Sequence, residues 1–155
     1  RGLLDLFFLS GIQIDARGRI HMHRVGGRRF PGAFGSAVLY PLVKRVILFR
    51  TEHSTRVFVP DLEFVTETGR QDMVVTPKAV LAPGGDCLLG LHSWHPGESV
   101  ESVRSATGFE LRVRPGAGET EPPTDRELAL LRGPVYAEMA AGFPEFVAAH
   151  PQVLP

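Results

Sequence analysis

Residues 8–37 read FLSGIQIDARGRIHMHRVGGRRFPGAFGSA, and that run decides the fold. From Ile12 to Met22 apolar and polar residues alternate, so that Ile12, Ile14, Ile20 and Met22 share one face of an extended chain and Gln13 and His21 the other. Asp15-Ala16-Arg17-Gly18 forms the corner, with Asp15 bonding its own turn and Gly18 taking the left-handed position that closes it. The period and the turn together predict a β-hairpin. Beyond it, Pro31-Gly32-Ala33-Phe34-Gly35-Ser36 leads into a short apolar helix over 35–42. Its bare main chain offers N–H groups to an anion, where partial positive charge gathers at a helix start. By itself such a loop is as readily a plain turn.

Outward from this run, strands and helices alternate. Leu6 to Leu9 precedes the hairpin as a strand, and Val46-Ile47-Leu48-Phe49 is a continuous apolar run, the pattern of a strand covered on both faces. Further strands are expected over 56–59, 63–66, 73–76, 79–81, 87–92 and 109–113. Ser99 caps a helix that carries Val100, Val103 and Ala106 on one stripe and stops at a left-handed Gly108. The Gly- and Pro-rich segment 115–123 reads as a surface linker. Thr124-Asp125-Arg126-Glu127 is a capping box that opens the C-terminal helices over 124–155. A chain of 155 residues is expected to make one domain, 1–155. Its fold class is α/β: an open, mainly parallel sheet flanked by helices, with an added β-hairpin.

Several segments in their order resemble one family. Gln13, Asp15, Gly18, then Pro31, Gly32, Gly35 and Ala37, then Glu52-His53 after a strand, fall where the β subunits of family I coenzyme A transferases carry Gln-Val-Asp, a Pro-Gly-x-Gly-Gly-Ala loop and a Glu-His step. Downstream, Phe64-Val65-Thr66, Val75-Thr76-Pro77, His95-Pro96-Gly97 with Thr107-Gly108-Phe109, and Glu121-Pro122-Pro123-Thr124 are similar to later segments of that family. The resemblance covers about residues 5–131. Two positions depart from it: Arg19 stands in the usual place of Asn, and Ser36 in that of a second Gly. Family chains extend upstream of this sequence, and the glutamate that attacks the thioester in typical members lies in that upstream part. The resemblance therefore assigns no nucleophile here, and it suggests a C-terminal portion of the family chain.

What the resemblance implies is a subunit that moves coenzyme A between an acyl-CoA thioester and a small dicarboxylic or 3-oxo acid, at an active site shared with a coenzyme A transferase α subunit. Main-chain amides of Gly32, Ala33, Phe34, Gly35 and Ser36 are then the candidate groups for the coenzyme A ester and its oxyanion, which gains most from donors fixed before the reaction. Glu52 and His53 are the candidate catalytic pair, set against the plainer reading that they shape their own loop. The coenzyme A thioester is substrate, and no permanently bound cofactor is expected. Two alternatives stand beside this reading: part of a hydrolase that opens a ring on a coenzyme A ester, and a noncatalytic binding or assembly subunit.

Composition narrows the partners. The 17 basic and 17 acidic residues cancel, which leaves no electrostatic footprint for nucleic acid or an anionic membrane. Arg24, Arg28 and Arg29 form a local basic cluster, read either as solvated loop charges or as contacts to the phosphates of a coenzyme A-like ligand. The single cysteine, Cys87, excludes an internal disulfide and is expected to be buried and inert beside Leu88 and Leu89. His92 and His95 read as a strand end and a turn, and His21 and His23 as surface or interface residues, so no metal site is expected. No apolar run reaches the roughly 20 residues that span a bilayer. The expected location is the cytoplasm.

Overall fold

The computed structural model describes residues 4–31 and 33–149. They form two compact units, one running to Thr120 and the other starting at Glu121.

In the first unit, β1 (Leu6–Leu9) is followed by the short hairpin of β2 (Gln13–Ile14) and β3 (Ile20–His21). A second hairpin follows, β4 (Arg24–Val25) and β5 (Arg28–Arg29), and then α1 (Phe34–Leu39). Next come β6 (Arg45–Phe49), β7 (Met73–Val75), β8 (Ala79–Pro83), β9 (Leu89–Trp94), α2 (Val100–Ser105) and β10 (Arg112–Glu119). The main sheet has the order β1-β6-β7-β8-β9-β10. Pairs β1/β6, β6/β7 and β9/β10 are parallel, while β8 runs antiparallel to both of its neighbours. The carboxyl ends of β1 and β6 therefore lie side by side, with Leu9 opposite Leu48, and the hairpins and α1 grow from that edge.

The hairpin has the register the alternation dictates, Ile14 opposite Ile20 and Gln13 opposite His21. Ile14 and Ile20 are fully buried, each worth about 2 kcal/mol of apolar burial. Two-residue strands leave most of their backbone groups to other partners. The segments expected as strands over 56–59 and 63–66 supply them, and so become clamps with one bridge each, Ile14 to Phe58 and Ile20 to Glu67. Ile14 N–H donates to Val57 O at 2.8 Å and Val59 N–H returns to Ile14 O at 3.0 Å; on the other side Thr66 N–H donates to Ile20 O at 2.9 Å. The second hairpin turns on Gly26 and Gly27, both at positive φ (55° and 79°), the pairing a two-residue mirror-image turn requires.

Five expectations change. The strand at β6 is covered on one face: Val46 and Leu48 are buried, Ile47 is half-buried and Phe49 is exposed. Cys87 is exposed, because it sits at positive φ (61°) in the turn closed by Gly84 N–H to Leu88 O at 2.8 Å, where neighbouring leucines cannot cover it. Gly108 is not in the left-handed region; it is needed because a Cβ there would fall 2.3 Å from Phe58 O, the atom its own N–H meets at 2.8 Å. The strand expected over 109–113 starts later, at Arg112. The linker expected from 115 instead continues β10 to Glu119, with a register shift between Val113 and Gly118 and Gly116 at φ 78°; a Pro-Gly pair marks a strand irregularity as well as a loop.

The second unit holds α3 (Asp125–Leu130), a π-helical turn Leu131–Val135 containing Pro134, α4 (Tyr136–Gly142) and α5 (Pro144–Ala149). Its start is the expected capping box: Glu127 N–H donates to Thr124 Oγ1 at 3.3 Å, and Thr124 N–H donates to Glu127 Oε2 at 2.8 Å. Among the described residues no helix is long and apolar enough to cross a membrane.

Candidate functional site

The turn of the first hairpin is a saturated network. Asp15 Oδ1 accepts from the N–H groups of Arg17 (2.9 Å) and Arg19 (3.0 Å), while Oδ2 accepts from the Arg19 guanidinium Nε at 2.6 Å. Arg19 thus supplies a side-chain partner to a carboxylate that is 2 % exposed. Gly18 (φ 71°) leaves no room for a Cβ, which would lie 2.0 Å from Gln71 Nε2. That amide donates to Arg17 O at 3.0 Å. Tyr40, at the end of α1, points its hydroxyl at Gly18 O (3.1 Å) and Gln71 Oε1 (3.0 Å). Burial, then the Glu67 and Asp15 carboxylates, push the Tyr40 phenol up, which keeps it a donor.

Through Tyr40 this network holds the far end of α1, the helix that the glycine loop opens. Gly32 lies outside the described residues. Ala33 is the N-cap of α1, and no side chain caps the helix start. Phe34 is 90 % exposed, and a Cβ on Gly35 would meet nothing within 4 Å, so the outer surface of the loop is open. Ser36 is turned the other way: its Oγ lies 2.5 Å from Glu67 Oε1 and 3.1 Å from Ala33 O. Glu67 is buried, and its Oε2 has no hydrogen-bond partner. Burial, partly offset by the Ser36 bond and His23, raises its carboxyl above the usual range.

At the carboxyl end of β6 the two candidate catalytic residues separate. His53 turns inward, 6 % exposed, with Nδ1 2.8 Å from Thr76 Oγ1 and Nε2 3.0 Å from Thr107 Oγ1, and its ring is 4.5 Å from that of Phe58. Burial, reinforced by Lys78, lowers its pKa to about 4, so it is neutral and ties three segments together. Glu52 stays half-exposed. Arg56 Nη2 donates to its Oε2 at 2.7 Å and Ser54 Oγ to its Oε1 at 2.6 Å, and these bonds hold its carboxyl below the usual range.

Next to Glu52 lies a cavity of about 270 Å³. Its apolar wall is Ile12, Val25, Phe30 and Val57; its polar lining is Gln13, Arg28, Arg50, Glu52 and Arg56. Residues from the hairpin, from the approach to the glycine loop and from the end of β6 therefore meet around one space. It lies beyond the carboxyl ends of parallel strands, where open α/β sheets bind ligands. Arg50 Nε is buried there without a hydrogen-bond partner. Leaving a buried donor unpaired costs about 1–3 kcal/mol.

Other residues singled out in the sequence lie elsewhere. His21 is fully buried rather than at the surface, since Phe64 and His23 pack on it with ring centroids 6.1 and 6.0 Å away; burial, then His23, lowers its pKa. His23 Nδ1 meets Thr66 Oγ1 at 2.8 Å. His92 is exposed, and His95 is held by Thr120 Oγ1 and Thr76 O, both at 2.9 Å. Among the described residues no group of three or more His, Cys, Asp or Glu is placed to hold a metal. Of the basic cluster, Arg28 alone lines the cavity. Arg50 and Glu67 escaped the sequence reading. Arg50 could have been found as the first polar residue past an apolar strand; Glu67 carries no local signal.

An open, mainly parallel α/β sheet whose first hairpin feeds a glycine loop and a short helix is the architecture of the β subunits of family I coenzyme A transferases and their relatives, and this chain carries that fold and that sequence pattern. It is 29% identical over 153 residues to the β subunit of the 3-oxoadipate CoA-transferase of Pseudomonas knackmussii, a match covering 84% of this chain and 58% of the relative. It is 29% identical over 143 residues to the cholesterol ring-cleaving hydrolase IpdB subunit of Rhodococcus jostii, covering 77% and 55%. The crystal structure of the decarboxylase AibA/AibB superposes with a TM-score of 0.78 at 29% identity, covering 85% of this chain and 57% of that one. No protein-family model matches. The chain spans little more than half the length of these relatives.

Proposed function

We propose that this chain is part of a coenzyme A transferase subunit, which moves coenzyme A from an acyl-CoA thioester to a small dicarboxylic or 3-oxo acid in an active site shared with an α subunit. The observation that carries the reading is the meeting of the matched segments: Gln13 of the hairpin, Phe30 beside the glycine loop and Glu52 after β6 line one cavity at the carboxyl ends of parallel strands. In this reading the main chain of residues 33–36 faces the reacting thioester, and its amides stabilise the charge that develops on the carbonyl oxygen. Ser36, bonded through Oγ to Glu67 and to Ala33 O, ties that main chain down beforehand, and Tyr40 anchors the far end of α1. Glu52, already paired with Arg56, orients polar groups of the substrate, and His53 fixes the loop that carries it. The nucleophile is assigned to none of these residues.

A second reading, part of a coenzyme A ester ring-opening hydrolase, is supported by the likeness to the ring-cleaving hydrolase of Rhodococcus jostii. In it, water replaces the acceptor acid at the same site. The two are separated by following coenzyme A with the co-purified subunits: exchange between a labelled acyl-CoA and added acids without net loss of thioester marks a transferase, and release of free thiol without an acceptor marks a hydrolase. Gly35→Val tests the loop. A Cβ there meets nothing within 4 Å among the described residues, so folding and assembly with the partner are expected to persist while turnover is lost; a variant that turns over normally removes the loop from the site.

A further inference from the structure

The cavity beside Glu52 carries more positive charge than the loop chemistry requires. Three guanidinium groups, of Arg28, Arg50 and Arg56, line it against one carboxylate, Glu52, a formal excess of two positive charges. Arg56 is spent on Glu52 at 2.7 Å, and Ser54 holds the other Glu52 oxygen. Arg28 and Arg50 have no ion pair among the described residues, and the buried Nε of Arg50 has no partner at all. A buried, unpaired donor in a native structure calls for an explanation, and a function in binding an anion is one. The remaining wall, Ile12, Val25, Phe30 and Val57, is apolar.

We propose that this cavity is an oxyanion-binding site, in which Arg50 and Arg28 grip a carboxylate or phosphate carried on a short apolar stem. A planar guanidinium can donate two parallel bonds to either group, and Gln13, half-buried in the same wall, adds an amide. The volume of about 270 Å³ lies at the small end of ligand pockets. It suits a short carboxylic acid better than the nucleotide part of a large cofactor. The proposal rests on the reading above that this cavity is the substrate site and adds what holds the anion, but its test is separate, because an anion can be held here whether or not thioester chemistry occurs.

The test is calorimetric titration, at fixed ionic strength, of the protein with whatever partner co-purifies, using butyrate, adenosine 3′,5′-bisphosphate and neutral butyramide as probes. Arg50→Met is expected to weaken the bound anion by about tenfold or more, as loss of a charge-assisted pair does. Arg28→Met should weaken it too, and Arg50→Lys should fall between wild type and Arg50→Met. Arg45→Met, at the opposite end of β6, serves as the control for net charge, and melting curves establish that each variant is folded. Arg50-dependent binding of butyrate supports the site with a carboxylic acid as its ligand, and Arg50-dependent binding of the bisphosphate supports it with a phosphate. The proposal is overturned if neither anion binds, if butyramide binds as well as butyrate, or if Arg45→Met and Arg50→Met weaken binding equally. Loss of exchange activity with anion binding intact counts against the transferase reading alone.

Discussion

The two sides of the first hairpin treat charge in opposite ways. At its turn, the buried carboxylate of Asp15 meets two backbone amides and a guanidinium, and Gln71 and Tyr40 close the shell around Gly18. At the end of β6, two arginines that make no ion pair among the described residues line a cavity, and the buried Nε of Arg50 has no hydrogen-bond partner. Saturation marks a part built for position, because a buried polar group without its partners costs stability. Open valence in a concave space marks a part that serves something from outside.

If that contrast is right, mutations at the turn should damage folding and mutations at the cavity should not. The largest effect is expected from Gly18→Val, which combines a positive φ with a clash against Gln71. A loss of about 4 kcal/mol, or failure to fold, should appear in urea unfolding. Asp15→Ala strands the Arg19 charge and two amides and should cost about 3 kcal/mol. Arg56→Ala, which breaks an exposed, solvent-screened pair with Glu52, should leave the unfolding midpoint almost unmoved in the same assay. Equal losses for those two variants would erase the distinction between the regions.

Two titrations sharpen the comparison. His53 has a pKa near 4 in the folded chain against 6.5 unfolded. Below pH 6.5 the unfolded state therefore binds the extra proton, and stability should fall by about 3 kcal/mol as pH drops from 6.5 to 4. His53→Gln should flatten that slope. Glu67 runs the other way: its folded carboxyl is raised above 4.5, so its contribution is complete below that pH and is lost as pH rises through the raised value. Glu67→Gln removes the titrating group and should abolish this loss with rising pH, with the Glu67 carboxyl followed by carbon NMR in the wild type. The effect of opposite sign belongs to Arg50→Met: it removes a buried donor that has no partner, so stability should hold or rise by about 1 kcal/mol while anion binding weakens.

The hairpin was legible because its signal is local: a period of two, a short acid and a glycine at a turn lead to one register, and the register observed pairs Ile14 with Ile20. The cap at Ser99 and the capping box at Thr124 belong to the same class. The failures share a different cause. Periodicity put His21 on the face opposite the isoleucines, but it could not tell that Phe64 would cover that face. Leu88 and Leu89 argued for a buried Cys87, yet a turn conformation set by Gly84 and Asp86 decided its exposure. The adjacent letters Glu52-His53 suggested one working pair, and the chain turned one outward and the other in.

The sequence by itself determined the order of elements, the turn chemistry and the α/β class, since each depends on residues a few positions apart whose backbone preferences and side-chain periods act locally. Only the tertiary structure decided that Ser36 would meet a buried Glu67, that His53 would be locked between Thr76 and Thr107, and that Arg28 and Arg50 would face one cavity. Those pairings join residues far apart in the chain, and no local rule specifies them: the packing of the sheet sets which distant groups share a space, and the cost of burying charge sets what each must find there.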